Sequence, residues 1–110
     1  MRYQREILSI SNNEIRRCRD NTEEEWVYCI SDVVVYVVQT PDPYDYLFRL
    51  RMSHSDLWKL WNNLVIKIPV ATDLWNYNLN CMNLHWLWWL FRAIPKKYEW
   101  RKRIFKSWVE

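Results

Sequence analysis

The sequence predicts an α+β fold in which a small antiparallel sheet of about three strands packs against three to four helices. Three observations carry that expectation. Residues 26 to 38 are crowded with β-branched and aromatic side chains, from Trp26, Val27 and Tyr28 to the run Val33 to Val38, and such residues fit a pleated surface. Leu57, Leu60, Trp61 and Leu64 recur at the spacing of one helical face. The strand-like segments come ahead of most helix-like ones rather than alternating with them, the pattern of segregated layers.

Taken in order, Tyr3 to Ile10 fits either a short strand or a helix. Ser11 followed by Glu14 has capping-box spacing and predicts a short helix to about Arg19, with a break at Asp20 and Asn21. Thr22 and Glu25 repeat that spacing, but the composition after them favours two strands with a turn near Ser31 and Asp32. The second, Val33 to Val38, is apolar on both faces, as a central strand is. Pro41, Asp42 and Pro43 mark a turn. Beyond it Tyr46, Phe48, Leu50 and Met52 alternate with Leu47, Arg49, Arg51 and Ser53, which reads as a half-buried strand with an arginine-bearing face. Ser53 or Ser55 then caps the helix of Leu57 to Leu64, with Lys59, Asn62 and Asn63 outward. Val65 to Val70 contains Pro69 and reads as an edge strand or an extended connector, and Thr72 or Asp73 caps a turn through Trp75. Leu79 to Ile94 reads as a central helix, apolar nearly all round except for Asn78, His85 and Arg92. Pro95 ends it and starts a last helix to about Val109. On that helix Tyr98, Trp100, Ile104, Phe105 and Trp108 share one face, and Lys96, Lys102, Arg103 and Lys106 the opposite one.

Composition narrows the function. The 110 residues contain no repeat, linker or low-complexity tract, so a single domain over 1–110 is expected. There is no Gly, which excludes the Walker A loop, the Rossmann fingerprint and the kinase glycine loop, and means that tight hairpins either rely on Asn or Asp for positive φ or are avoided. Nine Trp, seven Tyr and three Phe exceed what one small core hides, so some rings are expected to meet another molecule. Cys18, Cys29 and Cys81 are odd in number and widely spaced, and no signal peptide is visible, which predicts free thiols in a reducing, intracellular compartment. The longest apolar stretch, Leu84 to Phe91, is too short to span a membrane. The net charge of +3 divides into +3 over residues 1 to 19, −5 over 20 to 91 and +5 over 92 to 110. Such asymmetry suggests either a basic binding surface or association of basic with acidic patches.

Candidate chemistry is sparse. His54, Ser55 and Asp56 are adjacent, but consecutive residues at a helix start diverge, so helix capping by Ser55 and Asp56 is the expectation and no catalytic residue is assigned. The three cysteines with His54 and His85 lack zinc-site spacing and read as buried thiols and a satisfied core histidine, with no metal and no cofactor. Glu23, Glu24, Glu25, Asp42, Asp45 and Asp56 read as a solvated face and turn residues. Lys96, Lys102, Arg103 and Lys106 on the last helix, with Arg49 and Arg51, form a candidate phosphate-contacting set, interleaved with rings able to stack on bases. Trp100, Trp108 and Tyr98 form a candidate protein interface.

Two resemblances add to this reading. The order of three strands, a turn and an amphipathic helix, with His54, Ser55, Asp56, Leu57 and Leu60 at its start, is similar to the phosphoinositide-binding PX domain. Met52 and Ser53 stand where that family has paired arginines, so its phosphate ligand is missing here. The absence of Gly, the two Ala and the abundance of Asn, Tyr and Trp resemble small uncharacterised proteins of AT-rich filamentous archaeal viruses, which implies a host-takeover or virion-associated role. The expectation is therefore a non-enzymatic, intracellular, virus-encoded binding protein that forms a homodimer, with a host or viral protein as partner. The alternative is a nucleic-acid-binding module acting through the last helix. Whether the aromatic or the basic face of that helix meets solvent separates them.

Overall fold

The computed structural model describes residues 3–20, 25–71 and 76–110, and it begins with a hairpin. Strands β1 (Tyr3–Ile10) and β2 (Asn13–Asp20) pair antiparallel from Ile10↔Asn13 to Tyr3↔Asp20. Ser11 and Asn12 between them have φ of 48° and 68°, the two left-handed positions that a type I′ turn requires. The helix expected from the Ser11–Glu14 spacing is thus a turn and a strand. Ile10 and Ile15, both fully buried, reward the hairpin in a way an isolated first turn could not.

Strand β3 (Trp26–Cys29) pairs with β2, and the chain then turns directly into helix α1 (Ile30–Val38). The expected central strand Val33 to Val38 is therefore helical. Ile30, Val33, Val34 and Val37 fall on one helical face and are all buried, so packing overrides the β preference of valine. Asp32 in the first turn anchors the helix to β2: its carboxylate accepts from the Arg16 backbone N–H at 2.9 Å, from Arg16 Nε at 2.8 Å and from Arg16 Nη2 at 3.1 Å. Gln39 closes α1 in the left-handed region at φ 59°.

Helix α2 (Pro43–Ser53) replaces the expected arginine-faced strand. Asp42 caps it through the Asp45 N–H at 3.0 Å, and Pro43 occupies the first helical position, where a missing N–H costs nothing. Leu47 and Leu50 are its buried positions. After the single extended residue His54 comes helix α3 (Ser55–Leu64), as expected, burying Leu57 and Leu64. Strand β4 (Ile66–Ala71) carries Pro69 on a sheet edge, where no donor is needed. The turn expected at Thr72 to Trp75 lies outside the described residues.

Strand β5 (Asn76–Asn83) takes Leu79 to Asn83, the start of what was expected to be a long central helix. Its buried residues Leu79 and Cys81 alternate with exposed Asn78 and Asn80, a period of two rather than 3.6. Asn83 then accepts from the Trp86 N–H at 3.0 Å and caps helix α4 (Leu84–Ala93). Pro95 stops α4, a 3-10 turn follows at Lys96–Tyr98, and helix α5 (Glu99–Val109) ends the chain.

The α+β class is as expected, but among the described residues five antiparallel strands in the order β1-β2-β3-β5-β4 and five α-helices replace the expected three strands and three to four helices. The helices cover one sheet face, where Ile15, Tyr28 and Met82 join Val34, Leu90 and Phe105 in the main core. Tyr28 meets Phe105 edge-to-face at 5.7 Å. The other face gathers Cys18, Val27, Cys29, Ile68, Leu79 and Cys81 into a second buried cluster made of strand residues alone. The sheet curls to enclose it, bringing its edges close enough for Arg5 of β1 to donate to the Pro69 carbonyl of β4 at 3.3 Å.

Candidate functional site

Helix α5 sorts its residues differently from the sequence expectation. Phe105 faces the core and is fully buried, whereas Trp100 and Trp108 are 57 % and 54 % exposed. Lys102, expected on an open basic face, is only 4 % exposed. Its ammonium donates to the Ile94 carbonyl at 2.7 Å and lies 3.6 Å from Glu99. The neighbouring Arg101, also buried, donates from Nε to the Tyr36 carbonyl at 2.7 Å, with its guanidinium 4.8 Å over the Tyr36 ring. The physical reason is shared. The last carbonyls of a helix lack intrahelical donors, and a cation there also complements the helix dipole. Tyr36 lies in the last turn of α1, which has no basic residue of its own, and Ile94 follows the last residue of α4.

The expected phosphate-contacting set is therefore dispersed. Lys96 and Arg103 are exposed, while Lys106 lies half-buried with its ammonium 5.0 Å over the Trp88 ring. Arg49 is exposed and ion-paired to Asp45 at 3.0 Å, one helical turn away. Arg51 is half-buried, with its guanidinium 4.6 Å over Trp61 and 5.8 Å over Trp58; burial pulls it below the ordinary arginine value. Of the expected interface residues, Trp100 and Trp108 are on the surface and Tyr98 is half-buried against the core.

A second apolar surface was missed in the sequence. Tyr44, Phe48 and Met52, spaced four apart on α2, are 68 %, 48 % and 61 % exposed, and Phe48 meets the exposed Trp58 of α3 edge-to-face at 6.4 Å. The signal was the four-residue spacing, hidden by reading this segment as an alternating strand.

His54, Ser55 and Asp56 line a cleft of about 380 Å³ together with Trp89 and Arg92. His54 Nδ1 is 3.0 Å from the Leu50 carbonyl, and among the described residues it has no hydrogen bond to Ser55 or Asp56, so no nucleophile–base pair forms. The capping expectation also needs correction. His54 is the cap residue, without a side-chain cap bond, and Ser55 and Asp56 lie inside the first turn, where the Asp56 charge favours the helix dipole.

The cysteines share the second core. Cys29 and Cys81 are opposite one another across β3 and β5, and burial pushes the thiols of Cys18, Cys29 and Cys81 up, Cys81 furthest. Among the described residues no group of three potential ligands could hold a metal. Neither histidine is the expected core histidine: His54 is exposed, and so is His85 at the start of α4, edge-on to Trp86 at 4.8 Å. Asp42 caps α2 and Asp45 pairs with Arg49, which accounts for two of the acidic candidates; Glu23 and Glu24 lie outside the described residues. Among the described residues no helix is long and apolar enough to cross a membrane. Comparison with protein-family models, with curated proteins and with solved structures finds no match to this chain.

Proposed function

We propose that the protein is a non-enzymatic intracellular binding protein that acts as a homodimer, joined through the outward face of α5. The observation that carries this reading is the inversion on α5: Trp100 and Trp108 stand in solvent while Lys102 is buried. That inversion favours the aromatic over the basic use of the helix. About two helical turns, ~12 Å along the axis, separate the two positions, a span suited to the centre of a small interface. Covering the exposed half of one indole, roughly 100 Å², contributes about 2.5 kcal/mol, and a two-fold interface contains each ring twice. The stripe of Tyr44, Phe48 and Met52 supports a binding role by offering a separate surface to another protein. The Gly-free, Asn- and Trp-rich composition goes with a virus-encoded origin.

Light scattering tests the dimer. The expected mass at ~100 μM is near twice 13.9 kDa. The double variant Trp100→Ser and Trp108→Ser shifts it to the monomer, whereas Phe48→Ser with Met52→Ser leaves it unchanged. A monomeric wild-type protein, or a dimer indifferent to loss of both tryptophans, rejects the proposal.

A further inference from the structure

Two clefts, of about 270 Å³ and about 500 Å³, open between the α2–α3 pair and the β4–β5 hairpin, and they meet at Arg51, Trp61 and Asn80, which line both. Among the described residues no carboxylate lines either one. Arg51 from α2 and Lys67 from β4 bring positive charge, and among the described residues neither has an acidic partner. Arg16, Arg17 and Arg49 differ in this respect, being paired with Asp32, Glu6 and Asp45. The Arg51 Nε is buried with no acceptor among the described residues, while the Trp61 ring supports the guanidinium from one side. A guanidinium already held against a ring loses little freedom on meeting an anion.

The rest of the lining offers more than a bare inorganic anion needs. Asn78 and Asn80 lie on the strand next to Lys67, with Asn80 directly opposite it across the β4–β5 ladder, and Asn62 approaches from α3. Each amide offers two donors and an acceptor, able to read the edge of a heterocycle. Tyr44 and Tyr77 add flat apolar faces in the smaller cleft. We propose that this cleft binds a phosphorylated nucleoside, free or as one unit of a single strand, with the phosphate between Arg51 and Lys67 and the base among the aromatic rings and asparagine amides. The combination of stacking rings with unpaired cations is the recurring means of holding such a unit without sequence readout. The site takes no residue from α5 and does not depend on the dimer.

Isothermal calorimetry with AMP, UMP, inorganic phosphate and a short single-stranded oligonucleotide tests it. The expected result is binding of both mononucleotides, or of the oligonucleotide alone if the unit is read only within a strand. Lys67→Gln, at an exposed position of an edge strand, is expected to weaken that binding about tenfold or more, and Arg51→Gln to weaken it further. Thermal melting checks that each variant is folded; should Arg51→Gln unfold, the Lys67 variant decides alone. No binding of any nucleotide probe, binding that Lys67→Gln leaves unchanged, or inorganic phosphate binding as tightly as AMP overturns the proposal.

Discussion

At the scale of single residues, the absence of Gly leaves its mark at the β1–β2 turn. Ser11 and Asn12 both hold positive φ, and Ser is the poorer occupant, since only Gly, and to a lesser degree Asn and Asp, enters the left-handed region cheaply. Replacing the pair by Asn-Gly (Ser11→Asn with Asn12→Gly) relieves that strain without touching a buried contact, because both residues are exposed. The expected gain is about 0.5–1 kcal/mol, read as a rise of roughly 3–6 °C in Tm by calorimetry. A lower Tm would mean that the turn is not of the I′ type. Asn was anticipated from composition as the supplier of positive φ; its partner Ser11 was not, because the same Ser-x-x-Glu spacing also describes a helix start.

At the scale of elements, α5 illustrates how tertiary partners decide what a periodic pattern means. Its lysines and arginines were legible as charges, but the demand that buries Lys102 comes from the Ile94 carbonyl, placed by the stop at Pro95. Lys102→Ala is therefore expected to destabilise by about 1–3 kcal/mol in urea titration, where an ordinary surface lysine changes stability by ~0.5 kcal/mol or less. Arg103→Ala supplies the exposed control; equal, small effects for both would place Lys102 in solvent. For β4, Pro69 left an edge strand and an extended connector both open, whereas helix α3 was legible from four apolar residues on one face. Helix α1 was not, because its helical face of Ile30, Val33, Val34 and Val37 is embedded in a run where almost every residue is apolar, so no polar position marks the period. Helix α2 is hidden in the sequence because Asp42 and Pro43, a cap and a first helical residue, also read as a turn. The Trp100 and Trp108 surface was visible in composition, whereas the Arg51 cleft draws on α2, α3, β4 and β5 and exists only once they pack.

At the scale of the whole molecule, the curled sheet ties stability to pH through its second core. Cys81 is fully buried there, and burial raises its thiol well above the ordinary 9.0. An unfolded thiol releases its proton near 9.0 while the folded one retains it, so this contribution is complete below that pH and declines as pH rises beyond it. Urea unfolding between about pH 8 and about pH 11 is expected to show a falling midpoint, with a slope from this thiol of up to about 1.4 kcal/mol per pH unit. The slope should flatten in Cys81→Ala; an unchanged slope would exclude the thiol as its source. The same curl has a consequence for what the protein does in a crowded solution. An open sheet ends in two rows of unpaired peptide groups, which invite neighbouring molecules to add strand upon strand. Here one rim lacks a donor at Pro69, and the Arg5 side chain of the other rim reaches across to that same residue's carbonyl, so strand addition at this point meets a missing donor and an acceptor already engaged.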